Sequence, residues 1–155
     1  MMRSCFALAL VMLVSVGVLG CGAKGGLEGT VPVTGTLKQK GAPLEGATVT
    51  FVAVTKGVRA ASGVTDASGQ FKLTTLQSGD GAFPGDFKVI VTKTEVVGKV
   101  YTSEEANAYY TQNKTRPPAP EFKDLVDKKY GNTETSGLKA TVKQGEANDF
   151  TFEIE

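Results

Sequence analysis

The stretch Asp86-Phe-Lys-Val-Ile-Val-Thr92 indicates the fold class, because its side chains alternate between two faces. Phe87, Val89 and Val91 lie on one face and alternate with Lys88, Ile90 and Thr92 on the other, which is mostly polar. A period of two residues is typical of a strand that covers a core on one side and meets water on the other. The stretch therefore predicts a half-buried β-strand.

Similar patterns elsewhere in the chain bring the number of predicted strands to seven. The other six segments are Val31–Leu37, Thr48–Val54, Ala60–Val64, Gln70–Thr75, Leu138–Val142 and Phe150–Ile154. Gly35, inside the first of these, predicts a bulge or a bend. Turn sequences rich in Gly, Pro and Asp separate the segments, and this spacing predicts an all-β protein with a seven-stranded β-sandwich.

Residues 94–130 interrupt the strand pattern and form a predicted insertion. Thr102-Ser-Glu-Glu105 has the sequence of a capping box, so we expect a helix from about Ser103 to Gln112. The segment Arg116-Pro-Pro-Ala-Pro120 is expected to be extended. Four later side chains are expected to pack back onto the edge of the sheets: Phe122, Leu125, Val126 and Tyr130.

The composition excludes some classes of function. The 155 residues carry a formal net charge of +1, whereas a nucleic-acid-binding protein needs a basic face, so we expect no nucleic-acid partner. His is absent, which removes the usual general base and the commonest ligand of transition metals. Loop carboxylates at Asp66, Asp80 and Asp86 could bind Ca²⁺, but they lack a known ligand spacing, and Asp66 is explained by its turn. We therefore predict no metal and no cofactor.

The N-terminal residues have the features of an export signal. Arg3 precedes an apolar run at Phe6–Leu19. The run ends in Val18-Leu-Gly-Cys21, which resembles the bacterial lipobox. The resemblance implies cleavage between Gly20 and Cys21 and attachment of a diacylglyceryl group to the Cys21 thiol. An ordinary signal peptide and an uncleaved membrane anchor are the alternatives. In the lipoproteins that this pattern resembles, an Asp directly after the acylated Cys favours retention in the inner membrane. Gly22 stands at that position here, so the resemblance favours sorting of the protein to the outer membrane.

Three segments resemble the carboxypeptidase regulatory-like domain. They are Gly35–Phe51, Thr65–Phe71 and Pro84–Val89, and the resemblance extends over about residues 31–93. It implies a transthyretin-like (prealbumin-like) β-sandwich with Greek-key topology. The segments Lys129-Tyr130, Thr135–Leu138 and Asn148–Phe150 resemble the endings of small exported lipoproteins common in planctomycetes.

The same resemblance raises the question of enzymatic activity. Transthyretin-like folds include 5-hydroxyisourate hydrolases, which use His and Arg side chains and a characteristic C-terminal tetrapeptide. This chain has no His and ends in Phe152-Glu-Ile-Glu155. The resemblance is also to the accessory domain of carboxypeptidases and not to their zinc-binding domain, so we expect no catalytic activity.

These observations predict three parts of the chain: a signal peptide at 1–20, the lipidated Cys21 with a Gly-rich tether at 21–30, and the β-domain at 31–155. We expect a structural or protein-interaction module held at the membrane of the cell envelope by the lipid on Cys21. The alternative is a module that binds carbohydrate or peptide, because Tyr101, Tyr109 and Tyr110 lie in or beside the insertion. These tyrosines could equally pack the insertion onto the sheets.

Overall fold

The computed structural model of the protein describes residues 29–155 and is mostly β-structure. Strands account for 42% of it and helices for 12%, which agrees with the predicted all-β class. The helix α1 spans Ser103–Asn113, and a short 3-10 turn spans Lys128–Gly131. Both lie in or at the end of the predicted insertion.

Ten strands are present in the described part of the chain, and seven of them correspond to predicted segments. In chain order, these seven are β1 (Val33–Gln39), β3 (Thr48–Ala53), β4 (Ala61–Val64), β5 (Gln70–Lys72), β6 (Gly85–Thr92), β9 (Leu138–Val142) and β10 (Asn148–Ile154). The other three are β2 (Ala42–Pro43), β7 (Thr94–Val97) and β8 (Glu121–Asp124). The predicted number was too low because β2 has two residues, and because β7 and β8 lie in the insertion, where the local pattern predicts no strand.

Two four-stranded sheets make up most of the domain. In the first sheet β1 pairs with parallel β10, and along its other edge with antiparallel β2 and β5. The second sheet has the order β4-β3-β6-β9 and is antiparallel throughout. The Ser62 N–H donates to the Thr74 carbonyl at 2.9 Å, so β4 is also joined to the segment that follows β5. The strands β7 and β8 form a separate antiparallel pair.

The inward side chains of the two sheets form a common hydrophobic core around Phe51 on β3. The Phe51 ring is fully buried, and its centroid lies 5.7 Å from that of Phe87 in the same sheet. It lies 6.5, 5.6 and 6.0 Å from the rings of Phe71, Phe150 and Phe152 in the first sheet. These contacts cross from one sheet to the other, so the two sheets pack on each other through their aromatic side chains. Complete burial of each such ring contributes about 1.5–3 kcal/mol.

Strand β1 passes through Gly35 without the predicted bulge. Gly35 pairs in unbroken register with Phe150 on one side and Phe71 on the other. A Cβ atom at this position would lie 2.5 Å from Cζ of Phe71 and 2.5 Å from the carbonyl oxygen of Phe150. Gly35 therefore leaves the space in which the Phe71 ring packs against β1.

The described chain begins at one end of the sheets, and the insertion leaves from the other end. The Val31 N–H donates to the Ala82 carbonyl at 2.9 Å, three residues before β6 begins. Strand β6 then runs its full eight residues before the insertion starts. A strand of this length spans about 25 Å, so Val31 and the start of the insertion are separated by roughly that distance along the fold.

The insertion packs against the core only through its last residues. Val126 and Tyr130 are each 6% exposed and belong to the core, as predicted. Phe122 and Leu125 are 70% and 37% exposed, so the prediction that they pack back is wrong for these two. The physical reason is that Phe122 lies on β8, which pairs with β7 and not with either large sheet. We call residues 94–124, which comprise β7, α1 and β8, the arm.

Candidate functional site

The helix of the arm is defined by its own end groups. The Thr102 hydroxyl accepts the Glu105 N–H at 3.2 Å, and the Glu105 carboxylate accepts the Thr102 N–H at 2.9 Å. This is the predicted capping box. The helix ends at Lys114, whose left-handed backbone places its N–H on the Tyr110 carbonyl at 2.8 Å. No residue of α1 is buried, so these local contacts, and not packing, specify it.

Two of the three predicted binding tyrosines lie in contact with each other. The rings of Tyr101 and Tyr109 meet edge to face with their centroids 5.6 Å apart. The Lys99 ammonium lies 4.7 Å from the centroid of the Tyr101 ring and 2.9 Å from the Glu105 carboxylate. This cluster joins the segment before α1 to the helix, which gives Tyr101 and Tyr109 a packing role within the arm.

The electrostatics of this cluster couple the helix start to Lys99. The hydrogen bond from the Thr102 N–H, followed by that from Lys99, lowers the pKa of the Glu105 carboxyl. In turn, the hydrogen bond to Glu105 and its negative charge raise the pKa of the Lys99 ammonium. Both shifts favour the charged forms that hold the helix start together at neutral pH.

The third predicted tyrosine, Tyr110, lies on a different side of the helix and borders a groove. Tyr110 is 54% exposed, and the groove has a volume of about 470 Å³. Its other walls are Ala106, Asn107, Arg116 and Pro117. An aromatic face beside an amide and a guanidinium can stack on a ring and donate hydrogen bonds, which is the chemistry that glycans and peptides require.

The two strands of the arm expose a cross-strand apolar pair. Val96 on β7 faces Phe122 on β8, and these side chains are 47% and 70% exposed. The opposite face of this ribbon carries Glu95 opposite Lys123. One face of the ribbon therefore carries an exposed apolar pair, while the other carries the charged pair Glu95 and Lys123.

A second groove, of about 510 Å³, lies on the outer face of the first sheet and was not predicted from the sequence. Its walls include Thr34, Lys72 and Asp149, and the Thr34 hydroxyl donates to the Asp149 carboxylate at 2.9 Å. These residues come from three strands, so no local motif could reveal the groove. The only signal available was the polar character of alternate positions along β1, β5 and β10.

The three loop carboxylates considered for Ca²⁺ have separate roles. Asp66 accepts the N–H groups of Ser68 and Gln70 at 2.8 and 2.9 Å, as expected of the turn before β5. Asp80 accepts three backbone N–H groups, which belong to residues 75–77. Asp86 accepts the hydroxyl of Thr141 at 2.7 Å. Within residues 29–155, no group of three acidic or thiol side chains has the arrangement of a metal site.

The predicted lipidation residue Cys21 and the predicted cleavage site at Gly20 and Cys21 lie outside the described residues. The helices within residues 29–155 fall short of the length and apolar character needed to cross a bilayer.

No family model matches this chain, and no curated protein matches it. A solved structure, that of a 9R-lipoxygenase from Cyanothece PCC8801, is similar over 82% of this chain at 14% identity and a TM-score of 0.41. The chain covers 17% of the length of that lipoxygenase chain.

This comparison corrects one prediction. The sequence led us to expect no catalytic activity, but the matching structure is that of an enzyme, so that prediction is withdrawn. A likeness at this TM-score supports no argument for a lipoxygenase activity either.

Proposed function

We propose that the protein is a lipid-anchored component of the bacterial cell envelope whose β-domain presents the arm to a partner protein. The observation that carries this proposal is the exposed apolar pair Val96 and Phe122 on the arm, which leaves the sheets at the end opposite Val31. Contiguous apolar side chains on a surface are typical of interaction sites. Tyr110 and Val100, which are 54% and 62% exposed, add to the apolar surface of the arm.

The position of the arm suits a protein anchored through Cys21. The tether at residues 22–30 can extend at most about 30 Å, so it keeps the domain close to the bilayer. The arm leaves the sheets about 25 Å from Val31, where the tether ends. The lipid would then hold one end of the domain while the arm remains accessible to a partner. By the Gly22 criterion, we favour the outer membrane.

We further propose that the two sheets form a transthyretin-like Greek-key sandwich of the carboxypeptidase regulatory-like kind. The position of the resembling segments supports this assignment. Gly41-Ala-Pro43 leads from β1 towards β3, Thr65–Gly69 is the turn before β5, and Pro84-Gly85 leads into β6. The shared residues are thus turn residues followed by core strands, which accounts for the pattern through folding alone.

Replacement of the acylated residue tests the anchor. Cys21→Ser should move the protein from the membrane fraction to the soluble fraction of the envelope, because the thiol that receives the lipid is lost. Cys5→Ser is the matched control, since Cys5 lies within the predicted signal peptide, and it should leave fractionation unchanged. Equal fractionation of the two variants would contradict the anchor.

Replacement of the exposed apolar pair tests the role of the arm. Val96→Ser combined with Phe122→Ser should abolish co-purification of the partner from envelope extract. Val54→Ser is the control, because Val54 is 59% exposed and its N–H donates to Asp86 at the other end of β6. If both preparations retain the same proteins, the arm is not the interaction surface.

A second candidate function, binding of carbohydrate or peptide, is favoured by the groove beside Tyr110. Tyr110→Ala should remove binding on a glycan or peptide array, since the stacking surface is lost. Tyr109→Ala is the comparison, because Tyr109 contacts Tyr101 and does not line the groove. Loss of binding in Tyr109→Ala alone would place the ligand elsewhere on the arm.

A further inference from the structure

Strand β8 has an edge that is available for pairing. In the described part of the chain its backbone hydrogen-bonds to β7 on one side, and no hydrogen bond is made at the other. The Leu125 N–H donates to the Lys93 carbonyl at 2.8 Å, which makes these two residues a hydrogen-bonded pair. Such pairs alternate with non-hydrogen-bonded ones along an antiparallel ladder. Phe122 therefore directs its N–H and C=O away from β7, towards the free edge.

We infer that this edge pairs with β8 of a second copy of the chain, in an antiparallel arrangement that places Phe122 opposite Phe122 of that copy. The inference deepens the proposed function and rests on it, because it names the partner of the arm. In this register the two Phe122 residues exchange both backbone hydrogen bonds. The Asp124 N–H of each copy also reaches the Pro120 carbonyl of the other.

The charges on β8 select this register among the symmetric ones. A two-fold axis can place any one of the four residues of β8 opposite itself. At Glu121, Lys123 or Asp124 this brings two like charges together, which is destabilising. At Phe122 it places Glu121 of each copy opposite Lys123 of the other, which gives two attractive pairs. The strand is thus complementary in charge to itself in one register.

Pairing would also extend both faces of the ribbon. Val96 and Phe122 lie opposite each other within one copy, so the paired sheet has an apolar row of four side chains, two from each copy. On the other face Glu95 and Lys123 are followed by Glu121 of the second copy, so charges alternate in sign over these three strands, and the row ends at Val97 of the second copy. Pro120 has no N–H to donate, so the pairing ends there. Because the two-fold arrangement uses the same strand in both copies, the assembly is a closed pair.

The interface between the two β8 strands is short, so dimer formation has to be measured where the chains are concentrated. Four residues from each copy bury far less than the area of about 1,000 Å² that a stable interface in solution requires. An anchored chain is confined to a surface, which raises the effective concentration of the second copy. The full chain should therefore be tested in membranes of the cells that express it.

Disulfide formation in those membranes tests the register directly. In Phe122→Cys the two thiols would lie on residues about 5.5 Å apart at Cα, which is within disulfide range. In Val96→Cys they would be separated by three strand spacings, about 14 Å, which is out of range. After mild oxidation we expect at least tenfold more covalent dimer from Phe122→Cys. The unsubstituted chain, with Cys5 and Cys21 alone, measures the background.

Charge reversal then tests the recognition. Adding Lys123→Glu to Phe122→Cys should lower the dimer yield severalfold, because both attractive pairs become repulsive. Adding Glu121→Lys and Glu95→Lys as well restores opposite charges between the copies and between Glu95 and Lys123 within each ribbon, and should restore the yield. Lys139→Glu on β9, also exposed, should have no effect.

The outcomes separate this inference from the proposed function. Equal dimer yields from Phe122→Cys and Val96→Cys, or no recovery in the charge-swapped variant, would overturn pairing through β8. If the arm variants still lose a different partner protein in that case, the proposed function stands without self-pairing. Release of Phe122→Cys into the soluble fraction would instead show that the anchor is absent.

Discussion

Replacing Phe51 by Ala is the most direct test of the packing between the two sheets. The side chain is fully buried, and its ring contacts four other rings at centroid distances of 5.6–6.5 Å, three of them in the opposite sheet. The substitution loses the transfer free energy of the ring and leaves a cavity, which together amount to about 3–5 kcal/mol for Phe→Ala. Since domains of this size are stable by about 5–15 kcal/mol, a large part of the total would be lost.

Urea unfolding followed by circular dichroism measures this change in the free energy of unfolding. Phe51→Leu keeps most of the volume and should lose less than about 1.5 kcal/mol if the core repacks around it. Phe122→Ala removes the same atoms from a ring that is 70% exposed, and should stay within about 0.5 kcal/mol of the unsubstituted chain. A loss below about 1 kcal/mol in Phe51→Ala would mean that the sheets do not pack on each other through this ring.

Three further predictions concern β1 and the helix. Gly35→Ala should lower the free energy of unfolding by about 1–3 kcal/mol in the same assay, because its Cβ would meet the Phe71 ring. Thr102→Ala should destabilise α1 by about 0.5–2 kcal/mol, seen as faster amide exchange in the helix, with the urea midpoint unchanged because no helix residue is buried. The pKa of Glu105 is lowered from its usual 4.5, so its contribution is complete above that pH and is lost as the pH falls through the lowered value. Amide exchange of the helix should show this acid sensitivity, and Glu105→Gln should remove it.

The strands of the two large sheets could be predicted because their signals are local. Alternation in Phe87–Val91 and the turn chemistry around Asp66 depend on neighbouring residues only, and both hold in the structure. The capping box was predictable for the same reason. The prediction of a bulge or bend at Gly35 was wrong because this position needs Gly to leave space for the ring of Phe71, which lies on another strand.

The strands of the arm could not be predicted from local sequence. Val96 pairs with Phe122, which is distant in the chain, and β7 shows no regular alternation of apolar and polar residues. Phe122 was expected to be buried because apolar residues usually are, and the neighbouring Val126 is buried. Tyr101, Tyr109 and Tyr110 all lie in the arm, but only the structure separates Tyr110 from the pair made by Tyr101 and Tyr109.

The stability of the arm is expected to depend on pairing of its β8 edge with that of a second copy. A two-stranded ribbon is marginally stable in water, and an eleven-residue helix without buried side chains is marginal as well. The Leu125 N–H on the Lys93 carbonyl closes the base of the ribbon, and the Lys99–Glu105 ion pair reinforces the helix start. Three or more strands with an apolar face are needed for independent stability, and two paired ribbons satisfy this condition. Binding at the β8 edge should therefore also stabilise the ribbon. The protection of the β7 amides against hydrogen exchange should then rise together with association, although β7 lies one strand away from the interface.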